Sequence, residues 1–346
     1  MLNSSLLCNF LHNFNKTFCV TDILKGVQLQ IHSCKKPKHI SKCLQLAILF
    51  EVSADKPGNV NLIVGFEGTR YEHFLASAVA AAPYFELAAE RGVAVSRGEI
   101  HVRGVRLGRI IRDCVANINA WQRGGNTLLG TVILLSPIAV AAGMTPTKEE
   151  HIFEISELRK NVKCVVESTT PEDAVGVYEA IKIANPSGLG SAPELDVNDP
   201  NSINKIREEK IPLYDVFKIA SKYDMVCSEW VSNYPITFDV AYPFLMEQIR
   251  ETKDLNMAIV HTFLKVLAEY PDTFIARKTG IEKAKEVSSA AAKVLKLGGL
   301  KTSMGRERLR EFDLALRKSG NTLNPGTTAD IIAAALALGI LNGYRP

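Results

Sequence analysis

Asn324-Pro325-Gly326-Thr327-Thr328-Ala329-Asp330 runs directly into Ile331-Ile332-Ala333-Ala334-Ala335-Leu336-Ala337-Leu338-Gly339-Ile340-Leu341. The second half has no polar side chain to turn toward water, so it reads as a helix buried in a core. The first half packs a proline, a glycine, two hydroxyls and a carboxylate into the turn where a helix leaves its first N–H groups unpaired. Two readings stay open there. Thr327-x-x-Asp330 is close to a capping box, which makes an ordinary helix start; the same amides at the positive end of a helix also make an anion site.

Two further segments favour the anion site. Gly124-Gly125-Asn126-Thr127-Leu128-Leu129-Gly130 is a glycine-rich turn that feeds a second apolar run, Thr131 to Gly143. Glu51-Val52-Ser53-Ala54-Asp55-Lys56-Pro57-Gly58-Asn59-Val60 ends an amphipathic stretch with a lysine beside a Pro-Gly turn. Glycines let backbone amides approach phosphate oxygens closely, and a lysine adds a compact positive charge. No Gly-Lys-Ser/Thr ending is present, so none of these is a P-loop.

From Ser41 onward the periodicity is helical almost throughout. Leu44, Ala47, Ile48 and Glu51 set a first helix stopped by Pro57-Gly58. Tyr71 to Arg91 sets a second, bent at Pro83 and closed by Gly92. Gly104 to Trp121, Thr127 to Gly143 and Glu172 to Ala184 follow. Beyond the long loop Asn185 to Pro200, helices are expected over Leu213 to Tyr223, Phe238 to Arg250, Leu255 to Ala268, Ile281 to Leu297 and Arg306 to Lys318. Cys164-Val165-Val166 is the best strand pattern, and it is short. The expected fold is all-α, a single bundle-like domain with a nucleotide site at helix N-termini in its core.

The chain of 346 residues is 47% hydrophobic with a net charge of +4, and its mean hydropathy is near zero. A charge this small, scattered among acids, gives no case for nucleic acid. Both long apolar runs fall short of the ~20 residues needed to cross a bilayer, so no membrane partner is expected. Seven cysteines without a Cys-x-x-Cys or a zinc spacing fit a cytoplasmic, reducing compartment. Residues 1–41, rich in Asn, Cys, His and Lys and without sustained periodicity, read as a poorly structured extension before a domain at 42–346.

Taken in order, the segments resemble the triphosphoribosyl-dephospho-CoA synthase family from about Leu44 to Leu341. Glu51, Val52, Lys56, Pro57, Gly58 and Val60 fit its Glu-Val followed by Lys-Pro-Gly-x-Val. Asn126, Thr127 and Gly130 fit its Val-Asn-Thr-His-Lys-Gly loop, with Leu128 and Leu129 in place of His-Lys. Asp272-Thr273 and Arg277 echo a Gly-Asp-Thr-Asn followed by Arg-Gly-Gly. Arg310-Glu311-Phe312-Asp313 matches Arg-x-Phe-Asp, and Pro325 to Asp330 matches Pro-Gly-x-x-Ala-Asp. The family's Gly-Ala-His-Lys-Asp-Met has only Phe66 to His73 near it, and its Asp-Arg has become Asn61-Leu62.

The resemblance implies a transferase that moves the triphosphoribosyl part of ATP onto the ribose 2′-hydroxyl of 3′-dephospho-CoA and expels adenine, making a prosthetic-group precursor. Breaking an N-glycosidic bond calls for carboxylates near the sugar, a magnesium clamp on the triphosphate and a base for the hydroxyl. Glu51, Asp272 and Asp330 are the catalytic candidates, the last two also as magnesium ligands. Asp330 is alternatively a cap, and Glu51 a solvated acid on its helix. Lys56, Gly58, Gly125, Asn126, Thr127, Arg277, Gly326, Thr327 and Thr328 are the expected ATP contacts.

Asp313 reads as an ion-pair partner, and Asp196 and Asp199 as turn residues before lid-borne ligands. His261 reads as a satisfied core histidine, and Trp121 and Trp230 as packing residues. Arg103, Arg106 and Arg109 form a solvated face, or hold the phosphates of a CoA-like acceptor. Two alternatives stay open beside the family reaction: an ATP-dependent ribosyl transfer to another cofactor precursor, and a nucleotide-binding helical protein without catalysis. A homodimer is among the assemblies this reading admits.

Overall fold

The computed structural model describes residues 20–147, 151–190 and 192–346. Its helices are α1 (Val20–Ser53), α2 (Tyr71–Ser96), α3 (Leu107–Trp121), α4 (Leu129–Met144), α5 (Ile155–Glu167), α6 (Pro171–Ala184), α7 (Pro200–Glu208) and α8 (Leu213–Ala220). They continue as α9 (Met225–Val231), a π-helical turn (Ile236–Ala241), α10 (Tyr242–Thr252), α11 (Leu255–Glu269), α12 (Thr273–Thr279), α13 (Ile281–Lys296), α14 (Ser303–Arg317) and α15 (Gly326–Leu341). Among the described residues there is no strand, only two isolated bridges, Phe66 with Thr69 and Thr147 with Phe153. The all-α expectation therefore holds. Cys164-Val165-Val166 is not a strand; it lies inside α5, whose buried residues Leu158, Val162, Val165 and Val166 recur at helical spacing.

The compact unit begins at Pro37, and Ile40 and Ser41 are already buried. Of the expected extension 1–41, residues 1–19 lie outside the described residues. No described helix is long and apolar enough to cross a membrane.

Two helices form the centre. α4 and α15 are buried along nearly their whole lengths, from Thr131 to Gly143 and from Ile331 to Leu341. They pack against each other, α2 covers α4, and α10 and α11 cover α15. Gly92 does not close α2; it is where α2 meets α4. A Cβ there would lie 2.0 Å from the carbonyl oxygen of Val140, and one at Gly143 would lie 2.2 Å from that of Ala89. Only two glycines permit backbones to touch this closely. α2 instead runs through Pro83 to Ser96. Four helices escaped the periodicity, α5, α7, α9 and α12; the last two are each seven residues long and each capped by an aspartate, Asp224 and Asp272.

Candidate active site

The N-termini of α4 and α15 open on one cavity of about 390 Å³. Thr131 Oγ1 donates to Asp330 Oδ1 at 2.5 Å and joins the two helix starts. Gly130 must lack a side chain, because a Cβ there would lie 2.1 Å from Asp330 Oδ2. Burial pushes the Asp330 carboxyl up to about 8; the Thr131 hydroxyl opposes the rise, and the carboxylates of Glu51, Asp272 and Asp224 add to it. Carboxyl groups thus gather, with Asp330 holding its proton at neutral pH, where two helix dipoles point their positive ends.

The glycine-rich turn is held from outside. Gln122 accepts from the Gly124 amide and donates to the Gly125 carbonyl at 2.8 Å, while Thr69 Oγ1 donates to Gly124 O at 2.7 Å. Asn126 Oδ1 accepts the Leu129 amide in the first turn of α4, and Thr127 Oγ1 pairs with Ser77 Oγ at 2.7 Å. Gly125, Asn126 and Thr127 line the cavity, as do Gly326 and Thr327 across from them. Leu128, where the family pattern has histidine, is buried, and both it and Leu129 lie on the cavity wall.

Glu51 reaches the wall from the end of α1. It is not a solvated acid. Its side chain is buried, its Oε1 stands 3.1 Å from Lys56 Nζ yet accepts no hydrogen bond, and burial raises its pKa against the pull of that lysine. Arg277, from α12, is ion-paired with Asp224, the cap of α9, and both line the cavity. The Arg277 Nε is buried without a hydrogen-bond partner, and so is Asn324 Oδ1 beside α15.

Four of the expected site residues do other work. Lys56 is fully buried and does not border the cavity. Its ammonium donates to the carbonyls of Glu51, Ala54 and Val60 and pairs with Glu51, so it buckles the chain after α1 and has no donor left for phosphate. Gly58 already gives its amide to Asp313 Oδ1 at 2.7 Å, and a Cβ there would lie 2.5 Å from Leu316; it seats α14. Asp272 is fully buried and does not border the cavity. Its Oδ1 accepts from Phe274 and Ile275 amides, and its Oδ2 accepts the Thr328 amide and hydroxyl at 2.7 and 2.8 Å. Four donors use up the carboxylate, which pins the starts of α12 and α15 together. Thr328 is consumed by the same contact and is fully buried.

Other readings sort similarly. Asp313 holds Arg317 and the Gly58 amide, and Asp196 and Asp199 accept local amides as turn and cap residues. His261 is a core histidine between Gln248 and Leu300. Trp230 packs, its indole donating to Ile133 O at 3.1 Å, but Trp121 is 67% exposed because α3 ends there and turns it outward. Arg103, Arg106 and Arg109 precede or begin α3, whose far end leads to Gly124, roughly 20 Å away at 1.5 Å per residue. They do not line the cavity. Asp224, Thr131 and Asn324 were missed as site residues. Asp224 carried a signal, a cap residue just before the apolar pair Met225-Val226.

Among the described residues no group of three or more His, Cys, Asp or Glu side chains is gathered to hold a metal alone. Magnesium does not require one, since it keeps waters and phosphate oxygens around one or two carboxylates.

The family model of ATP:dephospho-CoA triphosphoribosyl transferase (CitG) matches residues 37–346. The 2-(5″-triphosphoribosyl)-3′-dephosphocoenzyme-A synthase of Escherichia fergusonii is 26% identical over 307 residues, 87% of this chain and 90% of that protein. The enzyme of the same name from Klebsiella pneumoniae is 33% identical over 93 residues, 27% of this chain and 30% of its own. A crystal structure from Archaeoglobus fulgidus, itself named only provisionally as a triphosphoribosyl-dephospho-CoA synthase, shares the fold with a TM-score of 0.56 at 23% identity, covering 78% of this chain and 100% of that one. Residues 37–346, which form the bundle and supply every wall of the cavity, thus fall within one family match, and the chain belongs to the ATP:dephospho-CoA triphosphoribosyl transferase family.

Proposed function

We propose that the cavity transfers the triphosphoribosyl group of ATP to the ribose 2′-hydroxyl of 3′-dephospho-CoA and releases adenine. The observation that carries this is the meeting of two helix N-termini at Asp330, with Glu51 and Asp224 on the same walls. Helix starts and Arg277 attract a triphosphate, whereas carboxylates suit a sugar carbon that becomes cationic as its bond to adenine breaks.

The residues fit magnesium: the burial that lifts Asp330 to about 8 and the crowding by Glu51, Asp272 and Asp224 both call for a cation. Asp330 would hold it, and bound there it would supply the positive charge that lets a triphosphate lie beside carboxylates. The chain's own groups do the rest. The turn Gly125 to Thr127 and the start of α15 position the phosphates, and Arg277 adds charge once it turns from Asp224. Glu51, kept basic by burial, takes the proton of the incoming hydroxyl as the new C1′–O bond forms and the C1′–N bond to adenine breaks; the departing adenine takes up a proton from water and Glu51 returns its own to solvent, so the exchange balances. Lys56 holds Glu51 in place. The free cysteines Cys43, Cys114, Cys164 and Cys227 agree with a reducing cytoplasm for this chemistry.

The replacement of the family's His-Lys by Leu128-Leu129 favours one second reading, in which the acceptor is another ribosyl-bearing cofactor precursor. A panel of acceptors with ATP and magnesium tests both. Adenine released with dephospho-CoA supports the first, adenine released only with a non-CoA acceptor supports the second, and ATP binding with no adenine from any acceptor refutes both.

A further inference from the structure

A cavity of about 390 Å³ lies near the lower end of the ~300–1,000 Å³ typical of ligand pockets. The transfer proposed above brings together ATP and a second adenine nucleotide that carries a long pantetheine arm. ATP must place its ribose and phosphates against Asp330, Glu51 and the two helix starts. The acceptor's 2′-hydroxyl must reach the same place, so its arm has to leave through the mouth.

One segment at that mouth has the chemistry to receive it. Asn59 and Val60 line the cavity on one side of the segment, and Phe66 and Thr69 line it on the other. Between them the chain projects Leu62, Ile63 and Val64, which are 62, 83 and 38% exposed. Elsewhere among the described residues, large exposed apolar side chains stand singly, as Val79, Leu87 and Leu314 do. Here three are consecutive, and isolated exposed apolar residues need no explanation whereas a cluster does.

The tip is also built to stay up. Asn61 Oδ1 accepts the amides of Ile63 and Val64 at 3.0 and 2.8 Å, and the Asn61 amide donates to Val64 O at 3.0 Å. Phe66 and Thr69 exchange backbone bonds at 2.8 and 3.0 Å behind it. Arg317 fastens the base, donating to Asn59 O at 2.6 Å and lying over the Phe66 ring at 5.5 Å. Backbone and polar contacts hold the loop, which leaves its three apolar side chains outward and free of any packing duty.

We propose that Leu62-Ile63-Val64 is the acceptor-arm site, an apolar shelf on which the pantetheine arm of dephospho-CoA lies while its nucleotide end enters the cavity. The assignment rests on the transferase activity proposed above. It explains how a small cavity serves two large substrates, and it predicts that the arm contributes to KM and not to the chemical step.

The test compares wild type with the triple variant L62S/I63S/V64S, using dephospho-CoA and ADP as acceptors at saturating ATP. ADP keeps the ribose hydroxyl and lacks the arm. The expected result is a KM for dephospho-CoA raised about tenfold, since three partly covered apolar side chains are lost, with kcat and the KM for ATP unchanged and the response to ADP unaltered. An unchanged KM for dephospho-CoA overturns the proposal. So does a KM for ATP that rises in parallel, which would make the loop a cover for the donor, or a variant that changes sedimenting mass, which would make it a contact between copies of the chain. Circular dichroism and melting of the variant check that it folds. If no adenine is released by wild type, calorimetric binding of dephospho-CoA to the ATP-loaded protein replaces the kinetics: a tenfold weaker variant then keeps the shelf and rejects the transferase, and equal binding rejects the shelf.

Discussion

Asp330 is costly to the protein that carries it. Its pKa rises from 3.8 to about 8 on folding, so the folded state binds a proton that the unfolded chain has already released at neutral pH. Its contribution is favourable below about pH 4 and is lost as pH rises toward 8. Asp330→Asn should therefore raise the melting temperature of the ligand-free protein, with a larger gain at pH 8 than at pH 5, measured by calorimetry at both. Asp272 is also pushed up by burial, against the pull of its hydrogen bonds, but it differs from Asp330 in its partners. It satisfies four buried donors, and Asp272→Ala should cost about 3 kcal/mol in urea unfolding, with or without magnesium. The sequence does not separate the two aspartates, each within two residues of a threonine near a helix start. What separates them is whether the helix start across the gap sends donors, as Thr328 does to Asp272, or only one hydroxyl, as Thr131 does to Asp330. That is a contact between residues 56 or 199 positions apart, and no local pattern records it. Lys56 was misread for the same reason in reverse: its neighbours Glu51, Ala54 and Val60 were all in view, but whether the ammonium turns inward depends on how the chain folds back over it.

At the scale of helices, periodicity found most of the long elements, because an amphipathic or wholly apolar run of more than two turns has few other solutions, though not α5 or the N-terminal part of α1. Seven-residue α9 and α12 show too few turns for a period, and α5 hides the strand-like Cys164-Val165-Val166 inside a helical stripe. Gly92 looks in sequence like the end of α2 and is instead the point where α2 touches α4. Gly92→Ala should cost about 2 kcal/mol, because the new methyl would press on Val140 O; a melt within error of wild type would show that the two helices separate freely. The joint between α11 and the turn at Gly299 gives a pH signature. The Leu300 amide donates to His261 Nε2 at 2.9 Å, so Nδ1 carries the hydrogen toward Gln248. Burial lowers the His261 pKa, and Lys301, itself paired with Glu251, lowers it further. A depressed folded pKa means full stability above pH 6.5 and loss as pH falls below it. The midpoint of urea unfolding should drop between pH 6.5 and 5, and His261→Gln should flatten that slope whatever its effect on absolute stability.

For the molecule as a whole, helix starts in the core were legible because glycines, prolines and hydroxyl residues crowd just before the two most apolar runs. How the starts meet was not legible, since α4 and α15 are separated by most of the chain and join through Thr131, Gly130 and Asp330. That meeting is the central claim: one cavity in which helix dipoles, Arg277 and a cation-seeking carboxylate act together on a triphosphoribosyl group. The measurement that tests it most directly is mass analysis of the products formed from ATP and 3′-dephospho-CoA with magnesium, for wild type and Asp330→Asn side by side. The account predicts adenine and a triphosphoribosylated dephospho-CoA in equal amounts from wild type, with the rate in the variant reduced at least about 100-fold; an Asp330→Asn protein that forms the same product at an undiminished rate would contradict it.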